Sequence, residues 1–179
     1  ERRFRFYGLA AIVLSLVFLA LLFVSIVDKG YSAFWQTSIR LPIFFDPAVL
    51  QQDTLVNAEY AALVREALFK KFPQVDGRQD KRQLTALMSS GCVYQLRDMV
   101  LKDPDLAGRE AEAWLPADDD IDMLIKGHFR RDLPESERRV SDKQIAWIEQ
   151  LESEGRLERR FNTTFLVAGD SREPELAGI

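Results

Sequence analysis

Residues 7–27 read YGLAAIVLSLVFLALLFVSIV, 21 positions without one charged side chain. At about 1.5 Å of rise per residue, a helix of this length spans roughly 31 Å, the thickness of the hydrocarbon layer of a bilayer. Only Tyr7, Ser15 and Ser25 carry polar groups, and such hydroxyls bond back to nearby helix carbonyls. Apolar residues lie all round the helix, so no face is polar enough for the water side of a soluble core helix. The stretch predicts a transmembrane helix. A cleaved signal peptide would have a shorter apolar region and a small-x-small cleavage site, which Val27-Asp28-Lys29 does not offer.

The flanks give the orientation. Arg2, Arg3 and Arg5 stand before the span against Glu1, whereas Asp28 and Lys29 cancel just after it. The positive-inside tendency puts residues 1–6 in the cytoplasm, 7–27 in the bilayer and 28–179 outside, which in a bacterium is the periplasmic side of the inner membrane. Of 24 Lys+Arg, three lie in residues 1–27 and 21 in 28–179; of 28 Asp+Glu, one lies in 1–27 and 27 in 28–179, a net of −6 for the outer part. That acidity argues against nucleic acid as its partner.

The whole chain of 179 residues is 47% hydrophobic and 29% charged, which excludes a disordered chain. One cysteine excludes an internal disulfide framework, and one histidine excludes a multi-histidine metal site. No repeat or low-complexity linker divides residues 28–179, so they read as a single α+β domain tied directly to the span.

Local patterns place its elements. Tyr31, Phe34 and Trp35 follow the span where aromatic rings with polar handles favour the membrane interface. Ile39, Leu41, Ile43 and Phe45 alternate as in a strand; Pro42 lacks an N–H and predicts either an edge strand or a strand unpaired on one side. Residues 57–72 have helical spacing, with Asn57 placed to cap the start and Pro73 to stop the end. A helical pair follows, broken at Ser89-Ser90-Gly91, with Cys92 read as a small packed residue. A short strand over 109–114 comes next. Ser141-Asp142-Lys143-Gln144 is a capping box ahead of a helix ending near Gly155, and residues 156–167 read as a final strand.

The charged clusters are the candidate functional residues. Asp118, Asp119, Asp120 and Asp122 could hold Ca²⁺ or Mg²⁺. Their spacing fits the first turn of a helix better, with Lys126 at its end and Gly127 beyond, and the loop lacks the glycine and distal glutamate of an EF-hand. The pairs Arg130-Arg131, Arg138-Arg139 and Arg159-Arg160 could bind anions, or neutralise nearby carboxylates. No phosphate-binding glycine loop, HExxH, CxxC or GxSxG is present, and no serine or cysteine is marked as a nucleophile for His128. These residues predict no catalytic site, cofactor or metal. Asn162-Thr163-Thr164 matches a glycosylation sequon, a pattern common by chance.

The order of several segments is more specific. Residues 3–11 (RFRFYGLAA) and 25–34 (SIVDKGYSAF), Ser89-Ser90-Gly91 with 96–100 (LRDMV), 141–147 (SDKQIAW), 155–162 (GRLERRFN) and 169–179 (GDSREPELAGI) together resemble the PstA-type permease subunits of the phosphate-specific ABC transporter. The likeness is to the longer variant, which carries an extra domain between its first span and the permease core. It implies an N-terminal part of a longer subunit. It also implies a second permease subunit, a cytoplasmic ATPase and a periplasmic phosphate-binding protein as partners. No phosphate-contacting motif of that family matches here. The outer domain is then expected to dock or scaffold, with Asp118, Asp119, Asp120, Asp122, Arg130, Arg131, Arg159 and Arg160 as candidate protein contacts. A single-pass sensor or adaptor has the same architecture, and an anchored hydrolase using the aspartates or His128 has only their ionisability in its favour.

Overall fold

The computed structural model describes residues 1–50, 55 and 58–162. The expected cap at Asn57, the two threonines of the sequon, the end of the last strand and the segment 169–179 lie outside the described residues. The fold is α+β. Helix α1 (Arg2–Gly30) leads through a 3-10 turn (Tyr31–Phe34) into strand β1 (Trp35–Phe44). Helices α2 (Tyr60–Lys71), α3 (Arg78–Thr85) and α4 (Gly91–Lys102) follow, then β2 (Glu110–Pro116), α5 (Asp119–Ile125), α6 (Asp142–Ser153) and β3 (Leu157–Phe161).

Helix α1 is longer than the uncharged stretch, because the backbone pattern runs on through the charged residues at both ends. Every residue from 1 to 28 is exposed. Its first turn carries arginines and no acid, the reverse of what the helix dipole favours, so those arginines do not serve helix stability. The helix is long and apolar enough to cross a membrane.

The three-stranded antiparallel sheet has the order β2-β1-β3. An edge position for β1, one of the two alternatives Pro42 left open, is therefore corrected: β1 is central. The other alternative explains why proline is tolerated. The even residues of β1 face β3: Arg40 donates its N–H to Arg156 O at 2.8 Å, and Phe34 O accepts from Asn162 N at 2.8 Å. The odd residues face β2, as in Phe45 N to Arg109 O at 3.0 Å. Strand β3 pairs only with Trp35 to Ile39. Pro42 thus aims its missing N–H at the side where β3 has already ended, and the ladder loses nothing.

The alternation also builds the core. Ile39, Leu41, Ile43 and Phe45 have no exposed surface, and Leu115 and Ala113 lie beside Ile39 and Leu41 across the β1–β2 ladder. Leu63 and Leu68 of α2, Leu84 of α3, Leu96 of α4 and Ile148 and Leu151 of α6 close over this face. Each such buried side chain stabilises the fold by about 1.5–3 kcal/mol. On the other face Arg40 and Pro42 are half-buried and Phe44 is exposed.

Helix α3 stops at Thr85, earlier than the apolar spacing of Leu84, Leu87 and Met88 suggests, because the chain turns there to bridge Met88 to Ala117. Ser89 Oγ accepts the N–H of Gly91 at 3.0 Å and starts α4. The capping box of α6 is complete, and Gly155, at φ +64°, turns the chain from α6 into β3.

Candidate interaction surface

The acidic turn is built into the sheet. Strand β2 ends at Pro116, opposite Ser38, so the buried N–H of Thr37 has no strand partner. Asp122 supplies one: its Oδ1 accepts the Thr37 N–H at 2.8 Å. Its Oδ2 lies 2.5 Å from Lys126 Nζ, one helical turn on, and both side chains are only about a tenth exposed. Asp118 caps α5 by accepting the N–H of Asp120 at 3.1 Å, and its own N–H donates to Leu87 O. Asp120 pairs with Arg139 at 3.3 Å. Gly127, at φ +81°, follows the helix as its C′ residue. Asp118 thus caps the helix, as the first-turn reading expects, whereas the bond from Asp122 to the sheet goes beyond it. Both oxygens of Asp122 are engaged inside the domain. Asp119 is exposed.

The arginine pairs separate in the same way. Arg130 makes a two-pronged bond to Asp132, at 3.0 and 2.5 Å, and this guanidinium holds the Asp132 carboxyl below its ordinary value. Arg131 reaches Glu152 at 3.4 Å. Arg138 bonds Asp142 in the first turn of α6, and Arg139 also stacks over Phe129 at 5.7 Å. The exposed pairs of Arg130, Arg131 and Arg139 are each worth about 0–1 kcal/mol, while the Arg138 side chain is mostly buried. Arg159 and Arg160 are exposed on β3 and, being adjacent in a strand, point to opposite faces. His128 is exposed in the turn after α5, whereas Cys92 is buried with its thiol on Pro116 O at 3.3 Å.

The uncovered face of the sheet brings Arg160, a candidate contact, together with residues that the sequence patterns did not single out. Trp114 of β2 is flanked by two guanidiniums, Arg40 at 5.3 Å and Arg160 at 5.5 Å from the ring centre. The register places Arg40 opposite Trp114. Glu112, two residues along, draws both Arg40 (3.6 Å) and Arg156 (3.5 Å). Glu154 is held below its ordinary pKa by Lys71 and Gln150, which donate to it. Beside this face a cleft of about 230 Å³ opens between β1 and α2, lined by Pro42, Phe44, Leu63, Glu66, Lys70 and Glu110 among others. Lys70 and Glu110 close its rim at 2.7 Å, and that carboxylate raises the lysine's pKa. A half-buried tryptophan between two arginines thus lies on the same side as a cleft of mixed apolar and charged lining.

The sequence signature of a domain of unknown function, DUF3333, matches residues 1–135, about three quarters of the chain. The chain belongs to the DUF3333 family. No curated protein and no solved structure matches it. The DUF3333 match takes in α1, β1, β2 and the acidic turn of α5, and hence Trp114 and Arg40; α6 and β3, with Arg160, lie beyond it.

Proposed function

We propose that this chain is the N-terminal part of a permease subunit of an ATP-driven phosphate importer of the bacterial inner membrane. Its acidic outer domain serves as a periplasmic docking or scaffolding module. The chain itself performs no catalysis in this reading; a cytoplasmic ATPase subunit supplies the energy. A second permease subunit completes the path, and a periplasmic binding protein delivers phosphate. The family likeness of the ordered segments supports the reading, and the observation that carries it structurally is how the helix enters the domain. An apolar helix exposed on every side passes, with only a four-residue turn between, into a domain that leaves one sheet face uncovered. The helix needs lipid or other helices around it, and the face around Trp114, Arg40 and Arg160 offers a second contact outside the bilayer.

The test is native purification of an affinity-tagged chain from its own membranes, followed by immunoblot and mass spectrometry. The expected result is a band well above 20.6 kDa together with an ATP-binding subunit. A membrane-bound band near 20.6 kDa without an ATPase refutes transport and favours a single-pass sensor or adaptor. Within the transport reading, Trp114→Ala weakens capture of the cognate phosphate-binding protein by about tenfold or more if the open face docks it. Unchanged capture refutes that docking face.

A further inference from the structure

The end of α1 and the end of β3 meet in one group of rings. Trp35 packs edge-on to Phe161, with ring centres 6.1 Å apart at 88°. Phe34 stacks on Phe161 at 6.3 Å and 10°, and Tyr31 leans on Trp35 at 6.4 Å. Asn162 N–H donates to Phe34 O and fastens the end of β3 to the turn. Four large rings therefore share one corner of the domain, yet Tyr31 is 59% exposed and Phe161 is 49% exposed. Tyr31 and Phe161 are thus packed on other rings yet half exposed, while Phe34 and Trp35 are partly buried between them.

The chain itself fixes what lies against them. Tyr31 N–H still bonds to Val27 O, so the helical path continues to Tyr31, about 6 Å beyond the last residue of the apolar stretch. The 3-10 turn carries the backbone at most about 8 Å further before Trp35. The headgroup layer of a bilayer is roughly 5–8 Å thick on each side. With α1 across the membrane, Tyr31 falls within that layer and Trp35 no more than about 14 Å beyond the apolar stretch. Tyrosine and tryptophan prefer that depth, with the ring body in the acyl boundary and the polar tip in water. At the other end of α1, Phe6 and Tyr7 form a T-shaped pair, which brackets the span with rings on both sides.

We propose that Tyr31, Phe34, Trp35 and Phe161 form a foot that rests in the phospholipid headgroup layer and fixes the attitude of the outer domain on the bilayer. Phe161 is the decisive member, because it comes from the far end of the domain. A flexible tether would need only the three rings next to the helix. With Phe161 in the group, β3 is pinned to the membrane surface as well, and the sheet is held at two strands rather than swivelling on one. Arg159, two residues before Phe161 on the same strand, is exposed. The inference rests on α1 as a span and not on the identity of the transported solute.

The test uses the full chain in vesicles of phosphatidylethanolamine and phosphatidylglycerol containing lipids brominated at graded acyl positions. Quenching that falls away in Trp35→Phe isolates Trp35 from Trp114 and Trp147. The expected result is strongest quenching by bromines nearest the headgroup, with Phe161→Ser reducing it while the chain still resists alkaline-carbonate extraction. Trp35 emission indifferent to every brominated lipid in carbonate-resistant chain overturns the foot. Release of the chain by carbonate overturns the span, and the foot with it. Absence of an ATPase partner in the purification above leaves this result untouched, so the two proposals fail separately.

Discussion

Asp122 offers the most direct test of how this domain is held together. Its carboxylate completes the β1 ladder at Thr37 N–H (2.8 Å) and meets Lys126 Nζ at 2.5 Å, in a site about a tenth exposed. Asp122→Ala strands a buried backbone N–H and a mostly buried ammonium together. Breaking a buried ion pair from one side costs about 3–5 kcal/mol, whereas an exposed i,i+4 pair is worth only about 0.3–0.5 kcal/mol. The geometry predicts a loss near the lower end of the first range, a large part of the roughly 5–15 kcal/mol that holds a domain folded. Asp122→Asn keeps an acceptor for Thr37 but turns an amide NH2 toward the Lys126 ammonium, so the ion pair is still broken and the loss approaches that of Asp122→Ala. The assay is guanidinium unfolding of the full chain in a non-denaturing detergent, followed by tryptophan emission, since Trp147 is packed against Phe72 in the core. A cycle with Lys126→Ala is expected to show about 1–3 kcal/mol of coupling. Asp119→Ala, on an exposed neighbour, serves as the control and stays within about 0.5 kcal/mol. If Asp122→Ala behaves like that control, or adds to Lys126→Ala without coupling, the carboxylate is not the brace described here.

Two further predictions concern the helices. Ser141→Ala removes one half of the α6 capping box and lowers stability by about 1 kcal/mol in the same unfolding assay. Gln144→Ala costs more, because Gln144 also donates to Gln83 O at 3.1 Å and ties α6 to the end of α3. Tyr60 is fully buried, donates its hydroxyl to Leu55 O at 2.7 Å, and burial pushes its pKa up from the ordinary value. Its neutral form therefore contributes stability that is intact below the unfolded phenol pKa of about 10 and is lost as pH rises toward the folded value. Tyr60→Phe costs about 1 kcal/mol at neutral pH, and the gap to the parent narrows above about pH 10. A gap constant with pH refutes the coupling of burial to ionisation.

The elements legible in the sequence are those whose causes sit within a few residues. The apolar run of α1, the S-x-x-Q box of α6, the acidic first turn and trailing glycine of α5, and the alternation of β1 all follow from periodicity and capping. Pro42 even carried the correct alternative, a strand with one side unpaired. That β1 lies in the centre was not readable, because it depends on a strand more than a hundred residues later covering only half of it. The same holds for Asp122. A carboxylate in a first turn reads as solvated, and only the end of β2 at Pro116, one residue short of pairing Thr37, makes it an internal acceptor. The ring group at the end of α1 and the Arg40–Trp114–Arg160 stack need register and strand order, which bring together side chains far apart along the chain. Local sequence determined which segments are helix or strand and which face of each is apolar. Pairing across long loops decided which of the remaining polar and aromatic residues are buried, braced or left exposed.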